Sequence, residues 1–390
     1  TLPSHYSMLS GLTPAEHGVL PDFGIVHGEM HPDRRLALKG TGREVMLAEA
    51  LSDAGYRTAA VTEDGWVAAK FGFDQGFRIF RAALEGSLPG TLAGTLAELE
   101  ATGNRGPWFL FVHTYATHQP YHAPRAFRTR WADANHAGFA LPAGRVPIED
   151  YDRFRLALFP AAPSDVAAFR DLYDGQIVWA DSVVGDIVAW LREHGLLEQT
   201  VVAVTSDHGE ELFERGQFDH GDTLFEEVTH VPLVLYAPNR VPAGRVIGGT
   251  VSQVDLPATL LDIAGVGDKL GGGRSLKPLW LGTEPAGTRE AFAEVVGHHA
   301  EPVAAAWSGT LKYVRRETRH GVTEALYDLA ADPGETKDLA GSRAADLARL
   351  RAGYDAHRRH ADQVRSALGT REERVDQETI DKLKSLGYAK

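Results

Sequence analysis

Asp207 and His208 sit side by side at the end of a short apolar run, Val201-Val202-Ala203-Val204-Thr205. A carboxylate beside an imidazole offers a metal ion one hard and one borderline donor. Glu210 and Glu211 follow, and Asp219-His220-Gly221-Asp222 comes soon after. An isolated Asp-His pair is as readily a solvated loop. Its place tells against that here, because open α/β sheets bind ligands just past the carboxyl ends of their strands. His118 lies a few residues beyond a second such run, Trp108-Phe109-Leu110-Phe111-Val112-His113, and is placed to meet Asp207 and His208. His113, in or at the edge of that run, reads as a hydrogen-bonded structural histidine. Thr1 opens Leu2-Pro3-Ser4-His5-Tyr6-Ser7-Met8-Leu9-Ser10-Gly11, where Pro3 suits a first helical turn and Gly11 a stop. Thr1 is then at a helix N-terminus, where backbone N–H groups and the dipole favour an anion and ease ionisation of a hydroxyl. A plain N-cap is the simpler role for a threonine. Attack by Thr1 with its own amine as base is set aside, because the residues after it read as the middle of a domain.

The elements that must position these residues are legible as alternating strands and helices. Residues 201–205 and 108–113 are apolar without alternation, as for parallel strands covered on both faces. Residues 168–191 keep a helical stripe of Leu172, Ile177, Val184, Ile187 and Leu191, stopped at Gly195. Residues 41–62 read as a helix starting near Thr41, with Val45, Leu47, Ala48 and Leu51 as its stripe, then a strand from Tyr56. Glu63 and Asp64 end that strand; they could face the site, though solvated loop charges are the simpler reading. The aromatic-glycine stretch 70–77 reads as packing. Residues 229–236 read as a strand and 254–264 as a helix capped by Asp255. Residues 125–165 show no period, and Arg125, Arg128, Arg130 and Trp131 make them a lid or substrate-selecting loop. Past Gly265 the texture changes. Gly271-Gly272-Gly273 reads as a flexible connection, followed by short strands at 291–296, 303–307, 312–316 and 325–329, a helix at 344–356 and a charged tail. We expect an α/β domain over 1–270 built on a mostly parallel sheet, and a small antiparallel sheet subdomain over 271–390.

Composition narrows the function. A chain of 390 residues can bury a large core. Its formal charge of -13, with no compensating basic stripe, argues against nucleic acid as a partner. The absence of cysteine excludes disulfides, thiolate metal sites and a cysteine nucleophile. No apolar run approaches a membrane span.

Several stretches jointly resemble the sulfatase family of the alkaline-phosphatase-like superfamily. They are Thr1-Leu2-Pro3-Ser4-His5 with Met8-Leu9-Ser10-Gly11, then Thr205-Ser206-Asp207-His208-Gly209-Glu210, Asp219-His220-Gly221-Asp222 with Val231-Pro232, and Asp255-Leu256-Pro257-Ala258-Thr259. Leu326-Tyr327-Asp328-Leu329 with Asp332-Pro333-Gly334-Glu335, and Leu386-Gly387-Tyr388, continue the family's order. The resemblance implies an alkaline-phosphatase-like sheet sandwiched by helices. It implies Thr1 at the nucleophile position, Asp207 and His208 as metal ligands with Thr1 beside them, and His118 on a substrate oxygen. His220 takes the place of the group that touches the transferred anion or protonates the leaving oxygen. His5 stands where an Arg is usual, as a substrate contact. Threonine cannot become formylglycine, so that cofactor is not expected. The family's first strand, with its metal-binding Asp residues, should precede Thr1, and we expect the natural N-terminus to be missing from this chain.

The chemistry expected is in-line attack by Thr1 on a sulfate ester, with a divalent ion activating the hydroxyl. A histidine ligand favours manganese or zinc, with calcium less well matched. A phosphodiester, phosphonate ester or phosphoglycerol substrate is the alternative that threonine favours. A degenerate relative that binds an anion or partner without turnover is the third. The substrate would be a small-molecule, glycan or lipid ester.

Overall fold

The computed structural model describes residues 1–22, 25–26, 29–30, 37–40, 44–84, 86–101, 106–128, 161–267, 269–296, 301–369 and 371–374. Its centre is helix α1 (Leu2–Ser10), ended by Gly11 at φ 75 with the Gly11 N–H on Ser7 O. Leu2, His5, Tyr6, Ser7, Met8, Leu9 and Ser10 are all buried, so this helix is covered on every side rather than amphipathic. Leu2, Tyr6 and Leu9 pack on Trp66, Phe71 and Phe73, which makes the aromatic-glycine stretch core, as its composition suggests. The short helix α2 (Pro14–His17) follows, with Glu16 closing a capping box on Thr13.

Helix α3 (Leu47–Asp53) leads into strand β1 (Arg57–Thr62), which pairs in parallel with β2 (Ile79–Ala82) and β3 (Trp108–Val112). The helix begins at Leu47, after the N-cap Met46, with Val45 exposed ahead of it; Thr41 lies outside the described residues. Helices α4 (Leu88–Ala101) and α5 (Pro163–Glu193) cover this sheet: Leu92 and Leu96 meet Val61, and Val183 joins them. Helix α5 is longer than its stripe, because Pro163 at the first turn and Asp165 three residues past Ala162 start it earlier. Of the irregular stretch 125–165, Arg125–Arg128 is a helical turn and α5 takes the end; Arg130 and Trp131 lie outside the described residues.

Strand β4 (Val202–Thr205) departs from expectation. It pairs antiparallel with β7 (Leu233–Tyr236), and its residues are half-buried rather than covered on both faces. Among the described residues β7 is its only ladder partner. Strand β3 is half-buried too. An unbroken β-branched run reports an apolar setting but not the direction of the neighbouring strand, since both ladder types accept it.

Between β4 and β7 come the two-residue strands β5 (Glu211–Leu212) and β6 (Phe218–Asp219), paired antiparallel, and helix α6 (Glu226–Thr229). Helix α7 (Asp255–Ala264) then packs on α1 and α3. The glycines after it are not a flexible joint. A Cβ on Gly272 would lie 2.0 Å from Gly11 O, and one on Gly273 1.7 Å from Val254 O. Only glycine allows those backbones to close on each other.

The chain ends in a four-stranded antiparallel sheet, β8 (Glu290–Val296), β9 (Pro302–Ser308), β10 (Leu311–Thr318) and β11 (Gly321–Asp328), in sequence order. Alternation along β9 divides its faces. Ala304 and Ala306 pack with Tyr313 and Leu326 under Leu350 and Tyr354 of the last helix, α8 (Ala344–Leu368). Val303, Ala305 and Trp307 turn the other way, onto Leu224 beside the loop that carries His220. Helix α8 runs past residue 356 because its stripe continues to the buried Ala361. Strand Ala37–Gly40 pairs with Leu20–Asp22 on one side and Arg371–Arg374 on the other. No described helix is long and apolar enough to cross a membrane.

Candidate active site

Thr1 is the N-cap of α1. Its Oγ1 lies 3.2 Å from His208 Nε2, and His208 Nε2 lies 3.4 Å from Asp207 Oδ2. His208 Nδ1 faces the carbonyl of Gly209 at 2.9 Å. A carbonyl can only accept, so Nδ1 carries the proton and the Nε2 lone pair points at Thr1 and Asp207. The same reasoning places the proton of His118 on Nδ1, which stands 2.6 Å from Gln119 O. His118 meets the edges of His220 and His208, with ring centroids 5.0 and 6.2 Å apart, and the rings of His208 and His220 stack at 4.0 Å.

His220 differs from its neighbours in charge. Its Nδ1 lies 3.0 Å from both Glu210 Oε1 and Asp219 Oδ1. Burial alone would discharge the ring, but Glu210 and then Asp219 outweigh it and hold its pKa up to about 10. Burial, with the charge on His220, pushes His118 down to about 3. Burial also lowers His208 well below its usual range, against the pull of Asp207. Burial alone would raise Asp207, but the groups facing it together bring it well below the carboxylate range. The site therefore holds an ionised aspartate, neutral rings at His118 and His208, and one imidazolium at His220.

The backbone of this centre is fixed from several directions. Gln253 Nε2 donates to Ser206 O at 2.7 Å and Asp207 O at 3.0 Å. Gly209 N and Glu210 N donate to Val228 O and Glu227 O. A Cβ on Gly209 would meet Glu227 O at 2.1 Å, so this close approach admits no side chain. Glu63 accepts from Thr114 Oγ1 at 2.8 Å and Tyr115 N at 2.6 Å, anchoring the loop that delivers His118. Asp255 is the first residue of α7 rather than its cap, which is Val254; it accepts from Ser252 N and pairs with the buried Arg289 at 3.2 Å.

The predicted residues Thr1, Asp207, His208, His118 and His220 thus converge. His5 comes to the same place from below. It borders neither cavity at the site; its Nδ1 stands 3.0 Å from Thr1 O and 3.5 Å from Asp207 Oδ2. It supports Thr1 and the Asp207 carboxylate rather than bordering the cleft. Sequence reasoning gave Glu210 no role and treated His113 as structural. His113 borders the cleft with Thr1, His118 and Asp207 and lies edge-on to His5 at 4.8 Å, a position its place at the end of β3 could have signalled. Gln253 carried no signal, being far away in sequence.

The donor set fits a divalent ion. Asp207 supplies an anionic oxygen and His208 a lone pair whose tautomer is fixed by Gly209 O. Nitrogens of His118, His208 and His220 lie within 4.8 Å of one another, as do donors of Glu210, Asp219 and His220.

Residues 1–266 match the family model described as Sulfatase, and residues 213–351 the model for the N-sulphoglucosamine sulphohydrolase C-terminal region. Arylsulfatase K of Xenopus laevis is 32% identical over 206 residues, which is 50% of this chain and 38% of that protein. Choline-sulfatase of Rhizobium meliloti (strain 1021) is 30% identical over 274 residues, 66% of this chain and 52% of that protein. The chain thus spans about half or less of the length of these relatives. Among solved structures, one in complex with its substrate D-glucosamine-2-N,6-O-disulfate superposes with a TM-score of 0.70 at 18% identity, covering 93% of this chain and 88% of the other. The phosphonate monoester hydrolase from Silicibacter pomeroyi gives a TM-score of 0.67 at 22% identity, covering 96% and 90%.

Proposed function

Since the chain belongs to the sulfatase family and has the alkaline-phosphatase-like fold, we propose that it is a metal-dependent hydrolase of sulfate esters. The observation that carries this reading is the meeting of Thr1 Oγ1, His208 Nε2 and Asp207 Oδ2 within hydrogen-bond or ion-pair reach at the head of α1. Asp207 and His208 would hold the ion, with Thr1 beside them. When bound, such an ion supplies Lewis acidity that eases ionisation of a nearby hydroxyl and offsets charge on the ester oxygens.

The chain's own residues do the rest. The Thr1 hydroxyl gives its proton to solvent, and Oγ forms the new bond to sulfur while the bond from sulfur to the alcohol oxygen breaks in line with it. The N-terminus of α1, a helix of nine residues, favours the developing negative charge at Thr1. His220 is the cation that meets the ester and gives a proton to the departing oxygen, contributing about 10²–10⁴-fold. Glu210 and Asp219 accept from Nδ1 and so keep the ring charged, which leaves the Nε2 proton as the one to be given. His118 is neutral with its proton on Nδ1, so its contact with a substrate oxygen uses an N–H only after the bound anion has drawn a proton onto Nε2. Water then releases sulfate from Thr1.

A second reading has one observation in its favour. Thr1 stands at the nucleophile position, and a direct hydroxyl nucleophile suits a phosphonate or phosphate diester as well as a sulfate ester. Turnover of 4-nitrophenyl sulfate, a phosphonate monoester and a phosphate diester, each with manganese or zinc added, separates the two. We expect the sulfate ester to be preferred and Asp207→Ala to abolish metal-dependent turnover. Undiminished turnover in Asp207→Ala would end the assignment, and preference for the phosphonate would establish the second reading.

A further inference from the structure

Taking His220 as the acid, we propose that Lys312, on β10 of the C-terminal sheet, is a positioning residue for it. Lys312 is wholly buried, yet it does not touch the site. Its Nζ lies 3.0 Å from Glu226 Oε1 and 2.8 Å from Glu335 Oε1, with the indole of Trp307 beneath it at 4.9 Å. Trp307 Nε1 donates to the same Glu226 oxygen at 3.1 Å, and Glu226 N donates to Glu335 Oε2 at 2.7 Å. The first residue of α6 is therefore held through both its side chain and its backbone.

What α6 holds in turn is the catalytic segment. Glu227 O and Val228 O accept the N–H groups of Glu210 and Gly209, at 3.0 and 2.8 Å. Glu210 is the carboxylate that orients the His220 ring through Nδ1. The loop from His220 to α6 is tied to the same sheet. Leu224 is packed on Val303, Ala305 and Trp307, and Asp222 O accepts from Arg316 at 3.2 Å. His220 and its orienting carboxylate are thus set by one anchored segment, in which Lys312 is the cation nearest to both Glu226 and Glu335, with Arg215 farther off at 3.9 Å from Glu335 Oε2. Without Lys312, Glu226 and Glu335 face each other inside the protein as two carboxylates. Such a pair moves apart, carrying α6 with it.

Displacement of the acid has a chemical signature that a loss of folded protein does not share. A poor leaving group needs the proton and a good one does not. The test compares wild type, His220→Ala and Lys312→Met, metal-loaded, on 4-nitrophenyl sulfate and on an unactivated alkyl sulfate. Lys312→Gln, which removes the charge but keeps a polar donor toward Glu226 and Glu335, stands in if Lys312→Met does not fold. We expect kcat for the alkyl sulfate to fall about tenfold more than for the aryl sulfate in Lys312→Met, with KM nearly unchanged, and more steeply still in His220→Ala. Equal loss on both substrates in Lys312→Met or Lys312→Gln, beside a selective loss in His220→Ala, would overturn the positioning role and leave the acid assignment standing. Equal loss in His220→Ala would overturn both.

Discussion

Glu210 Oε1 stands 3.0 Å from His220 Nδ1, and the other oxygen of Glu210 accepts from Tyr121 Oη at 3.1 Å. This buried carboxylate aims the imidazole and keeps its proton on. In Glu210→Gln the ring loses its strongest charge partner. We expect kcat/KM for an alkyl sulfate to drop by about 10²-fold, within the range of general-acid contributions. The fall in activity that accompanies deprotonation of His220, set at about pH 10 in the wild type, should move to lower pH. A pH–rate profile checks it. Tyr121→Phe removes one hydrogen bond and should have the smaller effect.

Gly209 has no room for a methyl group, since a Cβ would fall 2.1 Å from Glu227 O. Gly209→Ala must push α6 away from the Asp207-His208 segment. We expect a loss of stability of about 1–3 kcal/mol, typical of overpacking. Turnover should fall with it, because the same shift moves His208. Urea denaturation followed by tryptophan fluorescence measures the first effect.

His17 predicts the acid limit of the fold. It is fully buried, with Ser7 Oγ 3.1 Å and Pro3 O 3.2 Å from Nε2, and Val19 N donating to Nδ1. Burial lowers its pKa to about 3, against about 6.5 unfolded. Between those values the unfolded chain binds the extra proton, so stability rises with pH there. The contribution is fully present above the unfolded value and is lost progressively as pH falls from about 6.5 toward 3. A melting temperature that declines through that window, and declines less steeply in His17→Gln, is the expected outcome.

The Gln253 carboxamide spans Ser206 O and Asp207 O. Gln253→Leu leaves both carbonyls without this donor and frees the ligand's backbone. Metal affinity should weaken by about 10–100-fold, as for other outer supports of metal ligands. Calorimetric titration with manganese gives the number, and an unchanged affinity would show that the carboxamide only packs.

Much of this was readable from residue order. The helix from Leu2 and the polar residues after Thr205 were legible because capping and strand ends are local properties. His118 was placed correctly because it follows a strand that reaches the same edge. The direction of β4 is not legible in its own residues, since pairing is decided by residues about thirty positions away. Gly272 and Gly273 were misread for a related reason: a glycine needed for close approach looks the same in sequence as one needed for flexibility. Lys312 gave no signal because its carboxylate partners come from two distant stretches.

The central claim is that Thr1 attacks the ester directly. Rapid quenching of the metal-loaded enzyme during turnover of 4-nitrophenyl sulfate, followed by mass spectrometry of the peptide bearing Thr1, tests it most directly. The expected result is a sulfate adduct on Thr1 that forms with the burst of nitrophenol and is absent from Asp207→Ala. Steady turnover with an unmodified Thr1 peptide, or undiminished activity in Thr1→Ala, would contradict it.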